Sequence, residues 1–124
     1  MVKIGNVEIS GPMTLAPMAG VTDFAFRAIC TELGAALTTT GMVSAKALCY
    51  GDNKTKSLLY NLPGCRPFAA QIFGHEPEIM AQAAPMAIEY SGADMLDERL
   101  CMAAFISVSS SIALPLLSKK KRSA

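Results

Sequence analysis

The stretch Leu15-Ala16-Pro17-Met18-Ala19-Gly20-Val21-Thr22-Asp23 does most to constrain what this chain can fold into. It reads as the end of a buried strand, a turn of small residues and the start of a helix. Gly20 can take backbone angles that other residues resist, and small side chains let a ligand approach the backbone. In α/β folds, the junction that follows a strand is where ligands and catalytic groups are placed. Where such junctions recur, the chain is committed to parallel strands joined by helices.

They do recur. Met13 to Ala16 is a short apolar run and the predicted first buried strand. Thr22 or Asp23 is placed to cap a helix on which Phe26, Ile29, Cys30 and Leu33 share one face. Gly34 stands where a C-cap glycine belongs. Ala36 to Thr40 is a second strand candidate, and Gly41 to Tyr50 is mixed, with room for a helical turn. Gly51-Asp52-Asn53 breaks the pattern, and Asn61 to Pro67 is a loop. Pro67 to Phe73 is a third buried strand ending at Gly74.

Glu76 to Ser91 is a helix with Pro77 in its first turn and Ile79, Met80, Ala83, Ala87 and Tyr90 on one face. Pro85 removes a hydrogen bond and crowds the preceding turn at a cost of about 3 kcal/mol, so a kink or break is expected. Gly92 ends the helix, and Ala93 to Asp97 is a fourth strand. Ahead of all this, Val2 to Ile9 alternates around Gly5-Asn6 as a short hairpin. The order predicts an α/β fold with parallel pairing and right-handed crossovers.

With 124 residues, one domain is expected. A complete α/β barrel needs roughly 200 residues or more, so the pattern is the first half of something larger. Lys119, Lys120, Lys121 and Arg122 supply four of the 11 basic residues, leaving 7 against 10 acidic ones. A body with that balance makes no global electrostatic case for nucleic-acid binding.

Cys30, Cys49, Cys65 and Cys101 form no C-x-x-C pair, and His75 is the one histidine, so no metal site is expected. The opening Met1-Val2-Lys3-Ile4-Gly5 is not a secretory signal, and reduced thiols in the cytoplasm are expected. Residues 101–117 are apolar and serine-rich without a clean period, and Ser109-Ser110-Ser111 and Pro115 interrupt them. They are too short and broken for a membrane span. The basic run at 119–122 reads as a solvated end.

Four blocks converge on one family. Leu15 to Asp23 with Phe26-Arg27 resembles the opening strand, loop and helix of tRNA-dihydrouridine synthases. So do Met42-Val43-Ser44-Ala45-Lys46-Ala47-Leu48, Pro67-Phe68-Ala69-Ala70-Gln71-Ile72-Phe73-Gly74 and Gly92-Ala93-Asp94-Met95-Leu96-Asp97, in the same order and spacing. The resemblance covers residues 2–97.

It implies an FMN-binding TIM (β/α)8 barrel, here its N-terminal half, cut off after about four strands. It further implies tRNA as substrate and NADPH as the reductant of the flavin. Reduced FMN gives a hydride to a tRNA uridine flipped out of its stack, and a cysteine gives the proton. Pro17, Met18 and Ala19 match positions that pack against the flavin. Gln71 matches a strand-end residue that hydrogen-bonds the flavin ring, a task an amide suits because it both donates and accepts.

The chain departs from the family in three places. Gly41 stands where an acidic residue usually precedes the Met42-Val43-Ser44 block. After Asp97 the family continues with Asn, Gly, the catalytic Cys and Pro, whereas this chain reads Glu98-Arg99-Leu100-Cys101-Met102-Ala103. Straight counting puts Met102 at the catalytic position, and a thioether has no proton to give. Cys101 falls one residue early, and a one-residue slip reverses side-chain direction along a strand. No catalytic residue is therefore assigned, with Cys101 an out-of-register candidate. Cys30, Cys49 and Cys65 are read as packing or loop residues.

The third departure is the change of composition from Glu98 onward, which points to a frameshifted tail over residues 98–124. The last two βα loops of a barrel hold the flavin phosphate. The chain alone is thus expected to bind FMN weakly or not at all, to lack synthase activity and to expose strand edges. Two other readings fit parts of the pattern. One is another FMN-barrel oxidoreductase, such as a dihydroorotate dehydrogenase or an ene-reductase relative. The other is a non-enzymatic fragment or interaction module.

Overall fold

The computed structural model describes residues 1–100 and the strand at 112–115. Its N-terminus is a hairpin of β1 (Val2–Ile4) and β2 (Val7–Ile9), in which Ile4 pairs with Val7. That register leaves Gly5-Asn6 as the turn, with Gly5 at φ 58. β3 (Thr14–Leu15) follows and leads into α1 (Phe24–Glu32). Asp23 caps this helix, accepting from the Phe26 amide at 2.8 Å.

The buried residues of α1 are Arg27 and Ala28, not the expected face. Ile29 is 55% and Leu33 83% exposed. The reason lies in the sheet. β3 is its edge strand, and α1 covers the neighbouring β4 (Leu37–Thr39) with Ala28, so the stripe of Phe26, Ile29 and Leu33 looks outward.

The segment after β4 forms β5 (Val43–Ser44) and the short α2 (Ala45–Cys49), capped by Ser44. A further helix, α3 (Asn53–Leu58), starts at the break of Gly51-Asp52-Asn53 and continues over residues for which no element was expected. The signal was Asp52, whose carboxylate accepts from the Lys54 and Thr55 amides and from the Thr55 hydroxyl. β6 (Phe68–Gly74), α4 (Pro77–Ser91) and β7 (Met95–Leu100) complete the alternating pattern.

α4 runs unbroken through Pro85, so the helix does not break there. Pro85 and Ala81, whose carbonyl loses its partner, are both exposed, so water can satisfy the freed oxygen. Gly92 ends the helix at φ 66, the left-handed region that favours glycine.

β3, β4, β6 and β7 pair in parallel in that spatial order. β7 extends three residues past the expected end at Asp97. Its far edge is taken by β8 (Ile112–Pro115), which runs antiparallel with Asp97 opposite Ala113. Ile-Ala-Leu-Pro is enough for an edge strand, where a proline is tolerated. Of the two outer edges expected to be open, the β7 edge is thus paired, and the β3 edge has no strand partner among the described residues. The sheet does not close into a barrel among the described residues.

The main core lies between the sheet and the helices. Phe68, Ala70 and Ile72 of β6, with Leu96 of β7, pack on Leu48, Met80, Ala83 and Ala87. Burying each large apolar side chain contributes roughly 1.5–3 kcal/mol. Because strand residues alternate, Ala69, Gln71 and Phe73 face the other way, as do Met95, Asp97 and Arg99. On that second face Ala69 and Met95 pack with Ile9, Ala36 and the hairpin. The hairpin covers one end of the face and leaves the C-terminal ends of the strands to the site.

Candidate functional site

Three local structures build the site. The first is the turn after β3. The Thr22 hydroxyl accepts from the Met18 amide and donates to the Met18 carbonyl, both at 3.0 Å. Val21 and Thr22 amides also donate to that carbonyl. Gly20 takes φ 76 inside the loop, which is why a glycine stands there.

Arg27 fastens this turn from below. Its guanidinium is buried and donates to the Thr22 carbonyl at 2.6 Å, the Tyr60 carbonyl at 2.5 Å and Asn61 Oδ1 at 3.3 Å. Asn61 in turn donates to the Cys65 carbonyl at 2.7 Å. Burial pushes the Arg27 guanidinium below its ordinary value, an effect opposed by the Asp23 charge.

The second structure is a bulge. β4 pairs Thr39 with Ala69 and β5 pairs Val43 with Ile72, so the first strand spends one more residue than β6 over the same stretch. Thr40 repairs the ladder. Its amide donates to the Ala69 carbonyl, and its hydroxyl accepts from the Gln71 amide at 3.0 Å. Gly41 and Met42 are thereby displaced toward the turn, where a Cβ on Gly41 would lie 3.9 Å from Ala19 Cα.

The third structure is the polar pair on β6 and β7. Gln71 and Asp97 are in register, and Gln71 Nε2 donates to Asp97 Oδ2 at 2.5 Å. Two residues on, Arg99 projects from the same face of β7. Asp97 Oδ1 and Arg99 Nε are both buried without a hydrogen-bond partner among the described residues.

A cavity of about 230 Å³ opens where these structures meet, lined by Pro17, Ala19, Met42, Gln71 and Arg99. The structure thus brings together three of the four residues read as cofactor-facing. Met18 is parted from them. It is 60% exposed and lines a neighbouring cavity of about 260 Å³ with Gly20, Thr22, Asp23, Phe24, Gly41, Ser57 and Leu58.

Sequence reasoning missed Met42 and Arg99. The alternation from Asp97 to Arg99 along a longer strand was the available signal. Cys30, Cys49 and Cys65 are half-buried and free, away from the cavity lining. Cys101 and Met102 lie outside the described residues, as does the basic run at 119–122. Among the described residues no helix is long and apolar enough to cross a membrane.

The arrangement offers a narrow slot with apolar walls, an amide fixed by a carboxylate, and a guanidinium with an unused donor. It suits the edge of a flat polar ring. The model of the dihydrouridine synthase family matches residues 14–97. The chain is 40% identical over 95 residues to tRNA-dihydrouridine synthase B of Pasteurella multocida, covering 77% of this chain and 28% of that protein. It is 37% identical over 97 residues to the protein of the same name from Escherichia coli K12, covering 77% and 29%. The Vibrio parahaemolyticus protein, again of that name, is 36% identical over 95 residues. The chain spans under a third of the length of these curated relatives. The family model's match over residues 14–97 spans most of the chain, which therefore belongs to the dihydrouridine synthase family.

Proposed function

We propose that this chain carries the flavin-facing N-terminal part of a tRNA-dihydrouridine synthase barrel, with β3, β4–β5, β6 and β7 as its opening strands. The observation that carries the reading is the meeting of Pro17, Ala19 and Gln71 on one cavity at the C-terminal side of parallel strands.

The cavity fits a flavin ring and not a whole nucleotide. Its volume of about 230 Å³ is below the roughly 300–1,000 Å³ usual for a complete ligand site. Pro17, Ala19 and Met42 would flank the ring, and Gln71 would meet its polar edge. The buried, unpartnered Arg99 Nε is the kind of donor that a ring carbonyl satisfies. When bound, reduced FMN, regenerated by NADPH, supplies the hydride for a uridine of tRNA.

This chain's own residues do the positioning. Asp97 holds the Gln71 amide in one orientation, because its carboxylate only accepts. Arg27 and Thr22 hold the turn that presents Pro17 and Ala19. No proton donor is assigned, since the position that should supply it falls at Met102. We read the residues from Glu98 as out of frame with the family, in keeping with a family match that stops at residue 97. Turnover by this chain alone is therefore not expected.

A chimera tests the reading. Residues 14–97 would replace the corresponding part of the Escherichia coli relative in a strain without that synthase. Restored dihydrouridine in tRNA supports the proposal. A folded chimera that binds no flavin contradicts it.

A further inference from the structure

Arg99 carries an inference beyond the family match, which ends at residue 97. It is half-buried at the end of β7, and it is the one charged residue lining the cavity. Asp97, the carboxylate on the same face of the strand, is not part of that lining and is engaged by Gln71 through Oδ2. Among the described residues the ion pairs are Arg66 with Asp94 and His75 with Glu76, so the Arg99 guanidinium is left without a counter-ion. Its Nε is also buried without an acceptor.

A cation in this position costs desolvation that no ion pair or hydrogen bond at Nε offsets among the described residues. A ligand with a negative oxygen would offset it. The remaining walls set the ligand's other half. Pro17, Ala19 and Met42 are apolar, and Gln71 is a neutral amide, so the body must be flat and uncharged.

We infer that Arg99 is a specificity-determining residue that makes this cavity select a planar ring bearing an anionic oxygen over its neutral counterpart. The inference rests on the cavity being a ligand site, as proposed above, but not on flavin being the ligand. A guanidinium recognises a carboxylate or enolate-type oxygen through paired N–H donors, which a lysine at the same place reproduces only as a point charge.

The test uses the full 124-residue chain and two isosteric probes, benzoate and benzamide. Both are titrated while the side-chain signals of Arg99 Nε–H and Gln71 are followed by NMR. Benzoate is expected to bind roughly tenfold more tightly than benzamide, as a charge-assisted hydrogen bond implies. Arg99→Met should erase the preference and Arg99→Lys should keep part of it. Unchanged amide spectra establish that the variants fold, and Arg99→Gln serves if Arg99→Met does not.

Equal affinities in the unsubstituted chain, no saturable shift with either probe, or a preference that survives Arg99→Met overturns the inference. Lumiflavin quenching is measured alongside. Lumiflavin binding with no benzoate preference sinks the role of Arg99 and leaves the flavin reading standing. A benzoate preference without lumiflavin binding does the reverse.

Discussion

Gln71 and Asp97 face one another in register on parallel neighbours, and the Gln71 amide donates to the Asp97 carboxylate at 2.5 Å. Each fixes the other. The carboxylate sets which end of the amide points at β7, and the amide supplies a partner to a half-buried charge. Replacing Gln71 by glutamate puts two carboxyls at that spacing, and both cannot ionise together. One is then held protonated, with its folded-state value raised above the unfolded one. Stability is retained at low pH and lost as pH rises through the raised value. Gln71→Glu should cost about 2 kcal/mol at neutral pH. Urea midpoints should show the deficit shrinking near pH 4, below the ordinary carboxylate value.

Arg27 predicts a different failure. Its three donors hold the Thr22 carbonyl, the Tyr60 carbonyl and Asn61 together. Arg27→Met removes all three and strands buried acceptors, at a cost of about 3 kcal/mol. Arg27→Lys keeps a charge but not the fork, and should recover less than half of the loss. Hydrogen exchange checks the location, with the Val21 and Thr22 amides losing protection first.

Glu98 sits on the core-facing side of β7 beside Leu96, and burial raises its carboxyl above the ordinary glutamate value. A raised carboxyl contributes stability below the unfolded value that is lost as pH climbs through the folded one. Glu98→Gln should therefore raise the melting temperature at neutral pH and leave it unchanged near pH 4. A uniform shift at both values would show that charge is not the cause.

The frame of the tail is checked at the nucleotide level. Translating the alternative frames downstream of the Asp97 codon should restore Asn-Gly-Cys-Pro and further strand-helix units. If neither frame does so, the frameshift proposal is removed.

The legible parts of this fold were those set by local chemistry. The Gly5-Asn6 turn, the Asp23 cap, the Gly92 stop and the strand ending at Gly74 each depend on a few neighbouring residues. What escaped depends on distant partners. The face of α1 could not be read because Phe26, Ile29 and Leu33 have helical spacing whether or not anything stands beside them. The continuity of α4 through Pro85 escaped because the spacing does not say that Ala81 faces water. In the site, small residues and an amide announced Pro17, Ala19 and Gln71. Arg99 went unnoticed because β7 continues past Asp97, where the family pattern no longer guides the eye.

The central claim is that this chain holds the ring-facing wall of a flavin site without the grip on the flavin phosphate. Titration of the purified chain with FMN and with lumiflavin, followed by flavin fluorescence and the visible spectrum, tests it most directly. Weak, saturable binding is expected, alike for the two flavins and diminished in Gln71→Leu. A submicromolar dissociation constant for FMN, or no saturable binding of either flavin, would contradict it.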